Sequence, residues 1–185
     1  GVDLKILNVD VLSNKLVTDN PANRCYYCKQ GVFGTILEAA KNDGMTVILD
    51  GTNASDDADD RPGMKALQEM KVLSPLRMCG YVKSEIRKQS KEAGLFVYNK
   101  PSYACLATRI PTGTEIDEEK IKQVETAETF LFNLGFSDFR VRWMHNKAKI
   151  QMPESQLQAL MEKREVVLEE LSKIFDEVLL DLRTR

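Results

Sequence analysis

The chain has 185 residues, 43% hydrophobic and 29% charged, with a formal net charge of -2. That is enough apolar material for a real core, and no run approaches the roughly 20 apolar residues a spanning helix needs. A near-neutral balance gives no global pull toward nucleic acid or anionic lipid, so neither is expected as a partner.

Leu4 to Val11 is rich in branched residues and reads as a strand. Thr18 to Asn23 is loop by composition, and Phe33, Ile36, Leu37 and Ala40 fall at helical spacing before Asn42-Asp43-Gly44. Thr46-Val47-Ile48-Leu49 is a short apolar run of the kind found in buried parallel strands. Strand, helix, strand predicts a crossover unit and an α/β sheet. A polar loop from Asp50 to Gly63 follows at a strand's carboxyl end, where open α/β sheets bind ligands. Helices are predicted over Met64 to Met70 and Lys83 to Ala93, and Pro111-Thr112-Gly113 marks a boundary.

Beyond it the pattern changes. Ile121, Val124, Ala127, Leu131 and Leu134 predict a long amphipathic helix stopped by Gly135. Phe139, Val141 and Trp143 alternate with Arg140 and Arg142, a strand with one apolar and one cationic face. Ala148, Ile150 and Met152 predict a second strand across Asn146, followed by a helix carrying Leu157 to Leu171 and a strand near Val178 to Leu182. The order α-β-β-α-β predicts a small α+β domain over 113–185, after an α/β domain over 1–112.

The sulfur residues carry the chemistry. Cys25-Tyr26-Tyr27-Cys28 lies between Arg24 and Lys29, and Cys105 sits in a short segment between Lys100-Pro101 and Arg109. Positive neighbours favour the thiolate, the form that acts as nucleophile or metal ligand. The chain opens without Met and without a basic, then apolar, leader, as a fragment or processed product does. Four cysteines with no secretory segment fit the cytoplasm. Zinc held by all four thiols, in a non-catalytic domain, is one reading. The other is an iron–sulfur cluster on Cys25, Cys28 and Cys105, with Cys79 a buried thiol.

Acidic and basic residues supply the rest. Asp50 and Asp57 are placed to hold Mg²⁺ on nucleotide phosphates, the remaining aspartates of that loop being solvated surface. Lys83 and Arg87, one helical turn apart, are candidates for pyrophosphate. Arg140 and Arg142 share a strand face and could grip one phosphate or carboxylate. Glu128 falls on the apolar stripe of the preceding helix, where a lone charge is costly, so it needs Arg140, Arg142, a metal or a substrate as partner. His145 reads as an exposed turn residue.

Taken together these stretches resemble the LarE family of ATP-dependent sulfur transferases, within the PP-loop pyrophosphatase superfamily. The likeness runs through Asn23 to Lys29, Asp50-Gly51-Thr52-Asn53, Asp60 to Gly63 and Ser74-Pro75-Leu76. It continues through Lys83, Ile86-Arg87, Lys100-Pro101, Ala104 to Ala107, Arg109-Ile110, Ala127-Glu128 and Arg140-Val141-Arg142. The resemblance implies a partial, Rossmann-like PP-loop domain with a parallel sheet, plus a small α+β C-terminal domain, in a homo-oligomer.

It also implies ATP with Mg²⁺ as reactants and a nucleotide substrate, pyridinium-3,5-biscarboxylic acid mononucleotide. A carboxylate is adenylated, a protein sulfur displaces AMP, and a thiocarboxylate of the nickel-pincer cofactor pathway results. One branch of the family sacrifices the cysteine matching Cys105; another carries the sulfur on a [4Fe-4S] cluster. Cys25 and Cys28 make this chain resemble the second. Glu128, Arg109, Arg140 and Arg142 would lie in the substrate and phosphate region. The family's Ser-Gly-Gly-x-Asp-Ser nucleotide loop is absent, so the resemblance covers the later part of such an enzyme. Other PP-loop members, a tRNA thiolase or an amide-forming synthetase, remain as alternatives, and a strongly basic surface would favour the first.

Overall fold

The computed structural model describes residues 3–56 and 62–184; Asp57 of the expected magnesium pair lies outside them. The chain divides into two compact units, 1–100 and 101–185, earlier than the boundary expected at Pro111-Thr112-Gly113. The Arg109 side chain is built into the second unit through Glu128. Among the described residues no helix is long and apolar enough to cross a membrane.

The first unit is helical. It contains α1 (Lys15–Thr18), α2 (Arg24–Asn42), α3 (Pro62–Glu69), α4 (Pro75–Met78) and α5 (Lys83–Glu92). α2 and α3 pack together around Met64, Leu67 and Val72, joined by Phe33, Ile48 and Met70. A Cβ at Gly63 would lie 3.0 Å from Lys29 Cδ, a contact the lysine side chain can relieve by moving. The two strands expected in this unit are absent. Residues 3–11 carry no strand, and Leu4 and Ile6 are 84% and 79% exposed. Of the run at 46–49, one parallel bridge survives, between Leu49 and Leu73. Branched residues favour a strand only where a neighbouring strand accepts their hydrogen bonds. Among the described residues that neighbour is missing.

The second unit follows the expected α-β-β-α-β order closely. A short 3₁₀ turn, Leu106–Arg109, precedes α6 (Glu118–Asn133). Asp117 caps α6 by accepting from the Lys120 N–H, and Gly135 leaves it at a φ of 93°. β1 (Arg140–Met144) and β2 (Lys147–Gln151) form an antiparallel hairpin. His145 and Asn146, with φ of 48° and 60°, make its tight turn, and His145 is exposed as expected. α7 (Glu154–Glu162) and α8 (Arg164–Leu171) then return the chain to β3 (Glu177–Leu180), parallel to β2. The sheet order is β1-β2-β3.

One continuous core lies between helices and sheet. Ala127 and Leu131 of α6 meet Val141, Ala148 and Ile150, with Leu160, Val167 and Leu171 beside them. The helix expected across 157–171 is broken at Lys163, whose Nζ donates to the Leu134 carbonyl at 2.8 Å. The break lets both helices turn apolar residues onto the sheet.

Candidate functional site

Cys105 begins the Leu106–Arg109 turn with extended backbone angles (φ −52°, ψ 134°), and its side chain makes no capping bond. The thiol is reduced and exposed. Residues 101–105 have no regular structure, so their backbone carbonyls need partners from side chains. Two arginines supply them, and a third donates to the Thr108 carbonyl just beyond.

Arg109 is 1% exposed. Its Nε and one terminal nitrogen donate to the two oxygens of Glu128, at 2.7 and 2.9 Å. The other terminal nitrogen donates to the Ala104 carbonyl at 3.3 Å, the Cys105 carbonyl at 3.4 Å and Thr108 Oγ1 at 3.0 Å. Glu128, also 1% exposed, accepts in addition from the Val141 N–H at 2.9 Å. The partner of this helix carboxylate is thus Arg109, rather than either arginine of the hairpin. A bidentate pair between planar groups fixes orientation as well as charge.

The hairpin arginines complete the clamp. Arg140 donates to the Phe139 carbonyl at 2.6 Å and the Ser102 carbonyl at 2.8 Å. Arg142 donates to the Thr108 carbonyl at 3.0 Å and, through Nε, to Gln151 Oε1 at 2.5 Å. The cationic face expected on β1 is therefore not solvated throughout: Arg140 is buried, because the 102–108 segment lies over it. Arg142 stays half-buried.

A relay runs outward from Arg142. Gln151 donates to Asp181 at 2.9 Å, and Lys149 lies 3.0 Å from the same carboxylate. The Gln151 bond, the Arg183 N–H and Lys149 hold the Asp181 carboxyl down to about 2. Gln151 and Asp181 were not legible as site residues, since a Gln and an Asp on separate strands give no local signal. Tyr103 was missed as well. Its ring lies 5.9 Å from the Arg109 guanidinium carbon and 5.8 Å from that of Arg140. Burial, then the charge and hydrogen bond of Glu128, push its phenol up.

In the first unit, Cys25 and Cys28 lie near the start of α2, three residues apart on one side of the helix. Cys25 is exposed and Cys28 partly so. Arg24 is buried, bonded to Asn20 at 2.7 Å, and approaches Cys25 Sγ at 3.8 Å. Cys25 lines a cavity of about 250 Å³ with Lys29, Thr52, Asp56 and Gly63. Cys79, expected to be buried, is exposed at the end of α4, a helix with no buried residue. Among the described residues, no group of three or more His, Cys, Asp or Glu gathers in metal-holding geometry.

The expected phosphate residues of this unit have local roles. Asp50 accepts from Thr52 Oγ1 at 2.6 Å and from the Thr52 N–H at 3.1 Å. Burial acts to raise its carboxyl, but bonds from Thr52 and Ser74 and the charge of Lys29 hold it below the ordinary value. Arg87 donates to the Lys100 carbonyl at 2.9 Å. Lys83 opens α5 with its N–H on Ser55 Oγ at 2.9 Å, its side chain exposed.

No protein-family model matches the chain. Individual relatives do. An uncharacterized protein of Synechocystis is 37% identical over 175 residues, which is 95% of this chain and 65% of the relative. The pyridinium-3,5-bisthiocarboxylic acid mononucleotide synthase of Lactiplantibacillus plantarum is 32% identical over 157 residues, 85% of this chain and 57% of the synthase. An uncharacterized protein of Methanocaldococcus jannaschii is 32% identical over 161 residues, 87% of this chain and 63% of its own length. The chain spans less than two thirds of each.

Proposed function

We propose, for a chain that belongs to the LarE family, a part in sulfur transfer to an activated carboxylate during synthesis of a pyridinium bisthiocarboxylic acid mononucleotide. The observation that carries this reading is Cys105, an exposed thiol on a segment whose carbonyls are held by Arg109, Arg140 and Arg142. A nucleophile gains most from being held in one geometry before its substrate arrives.

In this reading a carboxylate of the substrate is first joined to AMP by ATP, with release of pyrophosphate. The Cys105 thiolate attacks the acyl carbon, the bond to the AMP oxygen breaks, and AMP leaves with that electron pair. The resulting thioester yields the thiocarboxylate when the Cys105 Cβ–Sγ bond breaks and Hα is lost, leaving dehydroalanine. Arg142, half-buried and oriented by Gln151, is placed for an anionic group of the substrate. Arg109 and Glu128 orient the backbone around Cys105.

The first unit we read as part of a PP-loop domain, supported by the parallel contact of Leu49 with Leu73. Asp50 is bonded within its own turn by Thr52 there, and no step is routed through magnesium. The resemblance implies an iron–sulfur cluster, and Cys25 and Cys28, reduced and on one helix face, are of the donor type such a cluster takes. Such a cluster, when bound, would supply a sulfur that spares Cys105. A homo-oligomer working in the cytoplasm belongs to the same reading.

The test is thiocarboxylate formation from the dicarboxylate mononucleotide and ATP by the intact protein. Cys105→Ala should abolish the thiocarboxylate while AMP release continues. Protein mass spectrometry after turnover should show loss of one H₂S at Cys105 if the thiol is sacrificed, and an unchanged mass if it is spared. Undiminished sulfur transfer in Cys105→Ala would refute the assignment.

A further inference from the structure

The bonds around Asp181 all run one way. Its Oδ1 accepts from the Arg183 N–H at 3.1 Å, and its Oδ2 accepts from the Gln151 amide at 2.9 Å, with Lys149 Nζ 3.0 Å away. These three donors hold its carboxyl down to about 2, so at any working pH it only accepts. An amide, unlike a carboxylate, has one donating and one accepting end. With its nitrogen drawn to Asp181, Gln151 turns its oxygen the other way, where it accepts from Arg142 Nε at 2.5 Å. Arg142 also donates through Nη1 to the Thr108 carbonyl at 3.0 Å. Arg142 stands opposite Lys149 in the β1–β2 register, and Gln151 lies two residues further along β2. The row thus runs from β1 across β2 to the end of β3, on the sheet face away from Val141, Ala148 and Ile150 of the core. A guanidinium bonded at Nε and Nη1 by two different segments is held in one plane, and Nη2 is left for a ligand.

We propose that Asp181 is a positioning residue for anion recognition: through the Gln151 amide it fixes the direction in which Arg142 presents Nη2 to a phosphate or carboxylate of the substrate. The inference rests on the sulfur-transfer reading, which assigns Arg142 to an anionic group. What sets the aim of Arg142 is the order of donors and acceptors along the row, not the charge of Asp181 by itself. In Asp181→Asn the backbone N–H of Arg183 claims the one amide oxygen, so the new NH2 faces Gln151. Gln151 then turns its own oxygen toward that NH2 and presents a donor to Arg142 Nε, which is itself a donor. Adding Gln151→Glu repairs the row and keeps the net charge of the native pair, since a carboxylate accepts on both sides.

The experiment takes two readouts on the intact protein. One is the exchange rate of the Arg142 Nε–H with water, followed by NMR without ligand. The other is calorimetric binding of nicotinic acid mononucleotide, which carries both a phosphate and a carboxylate. In the wild type the Nε–H should exchange slowly. Asp181→Asn should make it exchange fast and weaken binding about 10-fold, the size of one lost bond to a charged group. Gln151→Leu, which leaves Asp181 in place, should do the same. The swap of Gln151→Glu with Asp181→Asn should restore both readouts. A purely structural role for Asp181, holding Lys149 or the Arg183 N–H, gains nothing from a change at Gln151. Wild-type behaviour of Asp181→Asn, or a swap no better than Asp181→Asn, overturns the inference while leaving sulfur transfer standing. A wild type with a slowly exchanging Nε–H that does not bind the mononucleotide counts against the sulfur-transfer reading itself and takes the inference with it.

Discussion

Burying Arg109 and Glu128 removes two charges from water, at several kcal/mol per ion, and only good geometry offsets that. Here the geometry is bidentate, and every remaining donor of Arg109 finds an oxygen on the Cys105 segment. The pair therefore acts more as a register pin than as a source of stability. Removing one partner leaves the other charged and unpaired, so Glu128→Leu or Arg109→Met should each cost about 3–5 kcal/mol in urea unfolding. The double replacement should cost clearly less than the sum, because no orphan charge remains. Additive losses would mean that the two side chains act independently. Asp181 makes a second residue-scale prediction. Its carboxyl sits near 2 when folded against an ordinary 3.8, so its contribution is complete above 3.8 and is lost as pH falls through about 2. Carbon-detected titration of Asp181 should show that low midpoint, and it should rise toward the ordinary value in Gln151→Leu.

At the scale of elements, the parts read most accurately from sequence are those whose signals are local. Asp117 before an apolar 3.6-residue rhythm and Gly135 after it mark α6, and both do what their chemistry predicts. Replacing Asp117 by Ala should cost about 1 kcal/mol in thermal unfolding, and Asn should recover most of it. The bond from Lys120 to Asp117 adds to the cap, and the carboxyl is held below its ordinary value, so burial notwithstanding the benefit persists at neutral pH and fades in acid. The β1–β2 hairpin was equally legible because strict alternation over five residues has few other solutions. The break between α7 and α8 was not. Nothing at Lys163 resembles a Gly or Pro stop, and its side chain reaches the Leu134 carbonyl from the break.

For the whole molecule, the two units differ in how much of their apolar surface they cover. The second has a closed core with Val141, Ala148, Leu131, Leu171 and Met152 at 0% exposure. The first leaves Leu4, Ile6, Val47 and Leu49 exposed, all residues of its two expected strands. A polypeptide of residues 101–185 should accordingly unfold in one cooperative transition, and in the intact chain its amides should be the last to exchange. A broad, non-cooperative melt of that piece would show that its core depends on the rest of the chain.

Composition, spacing and alternation were enough to determine the α+β order of the second unit, the α6 caps and the hairpin turn. These are set by interactions between residues close in sequence, which a linear reading can see. Which charge meets which was decided only by the folded chain: Glu128 with Arg109, Arg140 with Ser102, Arg142 with Thr108 and Gln151. Likewise the strands expected near the start did not form, because a strand exists only when a neighbour accepts its hydrogen bonds. Pairings across long stretches of sequence depend on packing in three dimensions, and no local pattern encodes them.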